Sequence, residues 1–285
     1  MSARAANIAS GCRTVLAAAG LFALVAYIYV CGWFALHQRE LLYRPGGPVE
    51  TPAAAGADWL KAVDIRTEDG ERLDGWWGAP SNGSGVVIFF HGTPGTLGGT
   101  VWRLIDLAQA GLGVLAIDYR GYGGSSGRPS EAGLHADARA AFDFVRGAAP
   151  QARIVAFGES LGTGVAVGLA RERPVAGVLL NAAYASMAGH WWRHAPPLPY
   201  RWLVTDRFDS EALIGGIAAP LMILAGTADD ATPVEDARRL FAAAHEPKTL
   251  IEVEGAWHLA AWSGDAKKRA LDAMLRWTAA PAETE

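Results

Sequence analysis

A serine hydroxyl becomes a useful nucleophile only when a neighbouring base takes its proton. Phe157-Gly158-Glu159-Ser160-Leu161-Gly162 offers a serine in the pattern G-x-S-x-G. The apolar run IVAF precedes it and LGTGVAVGLA follows it. Strand, tight turn and helix in that order are the setting of a nucleophile elbow. Gly158 and Gly162 remove the side chains that would collide across such a turn. The turn projects the hydroxyl at a helix N-terminus, where partial positive charge favours an anion. The same string recurs at Gly123-Gly124-Ser125-Ser126-Gly127. Ser125, however, lies eight residues past the apolar run ending at Ile117, with Pro129 soon after, and reads as a loop residue.

Seven histidines compete to be the base. His37 sits beside the apolar N-terminal run, and His91 lies in a strand-ending loop. His135 and His245 fall within or at the end of helical patterns. His190 and His194 lie in a stretch rich in Trp and Pro. His258, in Glu254-Gly255-Ala256-Trp257-His258, follows the last expected strand and precedes the last helix. In a parallel sheet that loop lies on the same edge as the serine turn, so His258 is the expected base. The acid is expected after the penultimate strand, in Ala225-Gly226-Thr227-Ala228-Asp229-Asp230. A carboxylate there would hold the imidazole tautomer and stabilise the imidazolium. Asp229 is assigned that role; Asp230 is left to close the turn or cap the next helix.

A tetrahedral oxyanion needs main-chain donors. His91-Gly92-Thr93-Pro94-Gly95 ends the strand VVIFF, and the N–H groups of Thr93 and Leu161 are the expected donors. Pro94 has no N–H to give. No Gly-Lys-Ser/Thr follows the loop, so it is not a phosphate cradle.

The elements that must carry these residues alternate regularly. Lys61–Thr67 and Arg72–Gly78 form an expected hairpin around Glu68-Asp69-Gly70. Val86–Phe90, Gly113–Ile117, Arg153–Phe157, Val175–Leu180, Leu221–Leu224 and Leu250–Val253 read as strands, most apolar on both faces. Helical patterns intervene at Thr100–Ala110, Ser130–Arg146, Leu161–Arg171, Val234–Ala244 and Ala266–Trp277. Doubly apolar strands alternating with helices mean a mostly parallel α/β sheet covered on both faces. Ala183–Ile217 breaks the rhythm and is expected to form a short lid. Trp191, Trp192, Trp202 and Trp257, with Trp262, are the expected wall of an apolar acyl pocket.

Thr14–Leu36 is a run of 23 uncharged residues. As a helix it is about 34 Å long, enough for a hydrocarbon core of about 30 Å. It is too long for a signal-peptide core, and Cys31-Gly32-Trp33-Phe34 is a poor cleavage exit. Residues 1–13 are then a tail, 14–36 a single transmembrane anchor and 37–58 a juxtamembrane segment and linker. Residues 59–285 form one catalytic domain, with the lid at about 183–217. The flanking charges, Arg4 and Arg13 against Arg39 and Arg44, balance; the N-terminal amine tips the domain toward the non-cytoplasmic side. The formal net charge of −4 and the lack of a basic stripe exclude nucleic-acid binding. Cys12 and Cys31 lie about 28 Å apart on one helix, beyond disulfide reach. No other cysteine exists to serve catalysis or zinc.

Together the serine turn, HGTPG loop, acid loop and last histidine resemble the α/β-hydrolase superfamily over about Trp59 to Trp277. HQRELLYRP after an apolar span, with DYRGYGGSSGRPSE and GESLG, resembles the membrane-anchored, short-lidded branch of depalmitoylases and lipid or ester hydrolases. Ala225 and Thr93 stand where that branch often has histidine and asparagine. The resemblance implies acyl-enzyme hydrolysis of carboxylic esters or thioesters without metal or cofactor, on a small or lipid-like acyl substrate. An aminopeptidase-like serine peptidase is one alternative; it needs a site for a substrate amine, which no obvious acidic cluster in the lid supplies, and Asp206, Asp209 and Glu211 are the residues that keep it open. A tethered, non-catalytic binding protein on the same fold is the other.

Overall fold

The computed structural model describes residues 3–45, 47, 49–81, 85–195 and 197–279, with side chains from residue 11 onward. Gly46 and Pro48 of the linker, and Pro196 of the lid, lie outside the described residues. The chain starts with helix α1, Ala3–Tyr43. A hairpin follows, β1 (Lys61–Arg66) and β2 (Arg72–Gly78), with Ile65 opposite Leu73. Seven alternating elements come next: β3 (Gly85–Phe90), α2 (Leu97–Gln109), β4 (Gly113–Ile117), α3 (Glu131–Ala148), β5 (Arg153–Glu159), α4 (Leu161–Glu172) and β6 (Gly177–Asn181). Short helices α5 (Met187–His194), α6 (Tyr200–Leu203) and α7 (Ser210–Ile214) precede β7 (Leu221–Gly226). The chain ends with α8 (Val234–Ala243), β8 (Lys248–Val253) and α9 (Gly264–Thr278).

The eight strands run in the order β1-β2-β4-β3-β5-β6-β7-β8. β1–β2 and β2–β4 are antiparallel, and every other pair is parallel. Alternation along β3 shows why its run is apolar throughout. Val86, Ile88 and Phe90 face one core with α3 and α4, while Val87 and Phe89 face the other with α2 and α9. α2 buries Leu97, Val101, Leu104 and Leu107, a helical spacing. Ser130 caps α3 by accepting from the Gly133 N–H at 3.1 Å. The strand order reverses at β3 and β5, which opens a crevice at their C-terminal ends. The expected strands and long helices all form, with ends displaced by at most three residues.

Three differences bear on function. α1 does not end at Leu36 but runs on through His37-Gln38-Arg39-Glu40-Leu41-Leu42-Tyr43. Gly11–Tyr43 is long and apolar enough to cross a membrane. Leu42 and Tyr43, in the juxtamembrane segment, are buried in the domain core. Residues 51–57 form hydrogen-bonded turns, and Ala57 is buried. Within the lid stretch, α5 and α6 are helical.

Asp118, at the end of β4, accepts from the Leu97 N–H at 3.0 Å and ties α2 to the sheet. Burial, with Asp74 and Glu50 nearby, pushes its carboxyl up to about 7 against the pull of that N–H. His91 Nε2 lies 3.7 Å away, and burial pushes that imidazole down to about 4, so it supplies no countercharge at neutral pH. An unfolded aspartate titrates near about 3.9. The folded state therefore holds the proton more tightly, and this stabilisation is full below the unfolded value and lost as pH rises through the folded one. Asp118→Asn keeps the acceptor and never ionises. Its stability relative to wild type, read by thermal unfolding, should improve from about pH 5 to about pH 8; a constant difference contradicts this.

Candidate active site

Ser160 sits between β5 and α4 with φ 49° and ψ −118°. A side chain rarely adopts such a backbone, and the neighbours explain why it holds here. A Cβ on Gly158 would strike the Gly162 main chain, and one on Gly162 would strike the Phe90 carbonyl. A Cβ on Gly92 would lie 3.0 Å from Ser160 Cβ. The turn is thus wedged between the strand it leaves and the loop after β3. Its N–H donates to the Asn181 carbonyl at 3.0 Å.

His258 Nε2 lies 3.1 Å from Ser160 Oγ, and His258 Nδ1 lies 2.8 Å from Asp229 Oδ2. An ionised carboxylate only accepts, so Nδ1 carries the proton and Nε2 is free to accept from the hydroxyl. Asp229 is buried and further accepts from the N–H groups of Ala231 and Thr232 at 2.9 and 2.8 Å, and from Thr232 Oγ1 at 2.7 Å. Burial works against the Asp229 carboxylate, but the bonds from His258 and Thr232 outweigh it and hold its pKa below the ordinary value. Asp230 next to it is exposed. Ser125 is used structurally: it accepts from the Asp74 N–H and donates to the Asp118 carbonyl.

Thr93 and Leu161 flank Ser160 in a cavity of about 440 Å³. Leu161 heads α4, where N–H groups have no intrahelical acceptor. The Thr93 loop is braced by α1. Thr93 Oγ1 donates to the Tyr43 carbonyl at 2.5 Å, and the Tyr122 hydroxyl donates to the same oxygen. Tyr119 donates to the His91 carbonyl at 2.9 Å. Tyr119 and Tyr122 belong to DYRGYGGSSGRPSE, so that segment holds the loop.

Of the four tryptophans expected in the pocket, Trp191 alone lines it. Trp192, Trp202 and Trp257 are 62%, 74% and 68% exposed and are absent from its lining. Adjacent residues on a helix point about 100° apart, so Trp191 and Trp192 cannot both face inward. Trp262 is core: it packs on Phe157 at 5.0 Å and donates to Asp106. The apolar walls come instead from Leu41, Leu42, Met187 and Trp191, with His190, His194 and Arg44 at the cavity. Among the described lining residues none is acidic. The end of α1 entered the site without a sequence signal, since its apolar pattern is the same whether it faces lipid or a pocket. A smaller cavity of about 170 Å³ lies across Ser160 and His258, bounded by Gly92, Trp102 and Arg103.

Behind the serine lies a pair that sequence reasoning missed. Glu159 is buried, pairs with the fully buried Arg103 and accepts from Asn181 at 2.8 Å. Trp102 and Trp262 flank the guanidinium at 3.6 and 4.8 Å. Burial pushes Glu159 up, and pushes Arg103 down to about 10, which leaves the arginine charged at neutral pH.

Residues 85–213 match the family described as the alpha/beta hydrolase fold. An uncharacterized protein of Mycobacterium tuberculosis is 44% identical over 229 residues, 78% of this chain and 80% of that protein. The chain belongs to the α/β-hydrolase family. This hydrolase is also similar to the Pyrococcus furiosus esterase Pf2001, with TM-score 0.68 and 21% identity over 82% of this chain and 99% of the esterase. It is 29% identical over 211 residues to the lysophosphatidylserine lipase ABHD12 of Xenopus tropicalis, covering 67% of this chain. The hydrolase spans about half of that lipase, 55% of its length.

Removing one partner of a buried ion pair strands the other charge. Arg103→Met should lower the unfolding free energy of the hydrolase by about 3–5 kcal/mol, measured by urea titration. A loss below about 1 kcal/mol would mean that Glu159 simply takes up a proton.

Proposed function

We propose that this chain is a membrane-anchored serine hydrolase that cleaves carboxylic ester or thioester bonds of acyl, lipid-like substrates. The observation that carries the reading is the relay from Asp229 to His258 to Ser160, at 2.8 and 3.1 Å, on a strained turn at the mouth of an apolar cavity. In this reading Ser160 Oγ attacks the substrate carbonyl while His258 Nε2 takes its proton. Asp229 keeps the imidazole oriented and stabilises its cation. The oxyanion is received by the N–H groups of Thr93 and Leu161. His258 returns the proton to the alcohol or thiol leaving group. Water, deprotonated by the same imidazole, then cleaves the acyl-enzyme and releases the acid.

The cavity chemistry supports an acyl chain. Leu41, Leu42, Met187 and Trp191 offer apolar surface on one side of Ser160, and the smaller cavity gives the leaving group a separate exit. Its similarity to an esterase and to a lysophosphatidylserine lipase points the same way. The length and composition of Gly11–Tyr43 support the single-pass anchor, and we assign the catalytic domain to the non-cytoplasmic side. The peptidase alternative loses its support. Asp206 pairs with Arg39, Asp209 caps α7, and Glu211 pairs with Arg239, so none waits for a substrate amine. An inert binding fold gives no reason to keep the strained serine within reach of His258.

Ser160→Ala should lower kcat/KM toward a p-nitrophenyl acyl ester by roughly 10⁴-fold or more, and Asp229→Asn by a comparable factor, with circular dichroism unchanged. Wild-type turnover in a folded Ser160→Ala protein would overturn the assignment.

A further inference from the structure

The lid touches α1 deep within the apolar run. The Tyr27 hydroxyl donates to the Pro197 carbonyl at 3.4 Å. Phe34 is buried edge-on against Trp191 and Tyr200, with ring centres 5.3 and 5.2 Å away. Gln38 then bonds the Leu203 carbonyl and the Thr205 N–H, and Arg39 clamps Asp206. Tyr27 lies nine residues before Leu36, about 13 Å down the helix axis. Even a minimal span of about 17 residues from Thr14 would end near Val30, beyond Tyr27. If α1 crosses a bilayer, Pro197 stands at lipid depth, not above it.

The outer face of this lid suits that depth. Trp192 and Trp202 are exposed there and, with Leu198 and Pro199, line a hollow of about 330 Å³. The Arg201 guanidinium lies over the Trp202 ring, 5.3 Å from its centre. From Met187 to Leu203 the chain has two arginines and no acidic residue. Tryptophan with basic side chains and no carboxylate is the composition of a membrane interface. The inner face of the same lid supplies Met187, His190, Trp191 and His194 to the Ser160 cavity.

We propose that the lid formed by α5 and α6 is a second membrane contact, with its Trp192–Trp202 face seated in the bilayer beside α1. The Ser160 cavity then receives acyl chains from the membrane itself. The proposal rests on the reading that α1 spans a membrane. A nitroxide label on cysteine tests it, in full-length protein carrying Cys12→Ser and Cys31→Ser and held in phosphatidylcholine nanodiscs. Labels at Trp192→Cys and Trp202→Cys should be several-fold more exposed to oxygen, relative to a nickel chelate, than a label at Lys268→Cys on α9. Water-like values at both lid sites overturn the proposal. Shielding from both reagents does so too, since a second protein copy then covers the face. A label at Leu21→Cys within α1 separates the two failures. If Leu21 reads as lipid and the lid as water, the lid proposal alone fails; if Leu21 reads as water, the anchor reading fails with it.

Discussion

The left-handed turn at Ser160 is the constraint on which the rest of this structure depends. A non-glycine residue in such a conformation costs on the order of 1–3 kcal/mol and persists only where its surroundings over-determine it. Here they do. Gly158 and Gly162 let β5 and α4 close on the turn, and Gly92 lets the loop after β3 come against it. Asn181 at the end of β6 accepts the turn's N–H and binds the Glu159 side chain. Arg103, from α2, balances the charge of Glu159 inside the second core. Four parallel strands, β3, β5, β7 and β8, then deliver Thr93, Ser160, Asp229 and His258 to one edge of the sheet. The strain is local, and both hydrophobic cores oppose its release.

The N-terminal helix packs into the domain. Gln38, Leu42 and Tyr43 in its last two turns are buried in the domain, its terminal carbonyl receives two side-chain hydroxyls, and Leu41 and Leu42 wall the cavity beside Ser160. The N-terminal helix, the lid and the Thr93 loop therefore form one packed unit. Arg39 with Asp206, and Gln38 with Leu203 and Thr205, fix the lid to the helix at its polar end. Phe34 does so at its apolar end. A change in the angle of α1 would move the lid and the Thr93 loop together.

The core elements were legible from the sequence because each obeyed a short-range rule. Strands such as Val86–Phe90 must be apolar on both faces, and α3 declares itself by Ser130 and its helical spacing. Ser160, Asp229 and His258 were legible through their order and their positions after expected strands. What escaped was long-range. Trp192 and Trp202 looked like pocket residues because aromatic character says nothing about which way a ring points. The boundary placed at Leu36 followed from charge, yet helix geometry carries the chain smoothly on to Tyr43. Arg103 and Glu159 lie 56 residues apart in sequence, and no local pattern announces that two charges will meet inside a core. His190 and His194 reached the cavity only through the docking of α5.

The central claim is that Ser160 alone among the serines is activated, and that His258 activates it. Peptide mass spectrometry of the full-length protein after exposure to a long-chain fluorophosphonate tests this directly. One phosphonyl group per chain should appear, on Ser160, and His258→Ala should nearly abolish its formation. An adduct on Ser125 or elsewhere, or unimpaired modification in His258→Ala, would contradict the account.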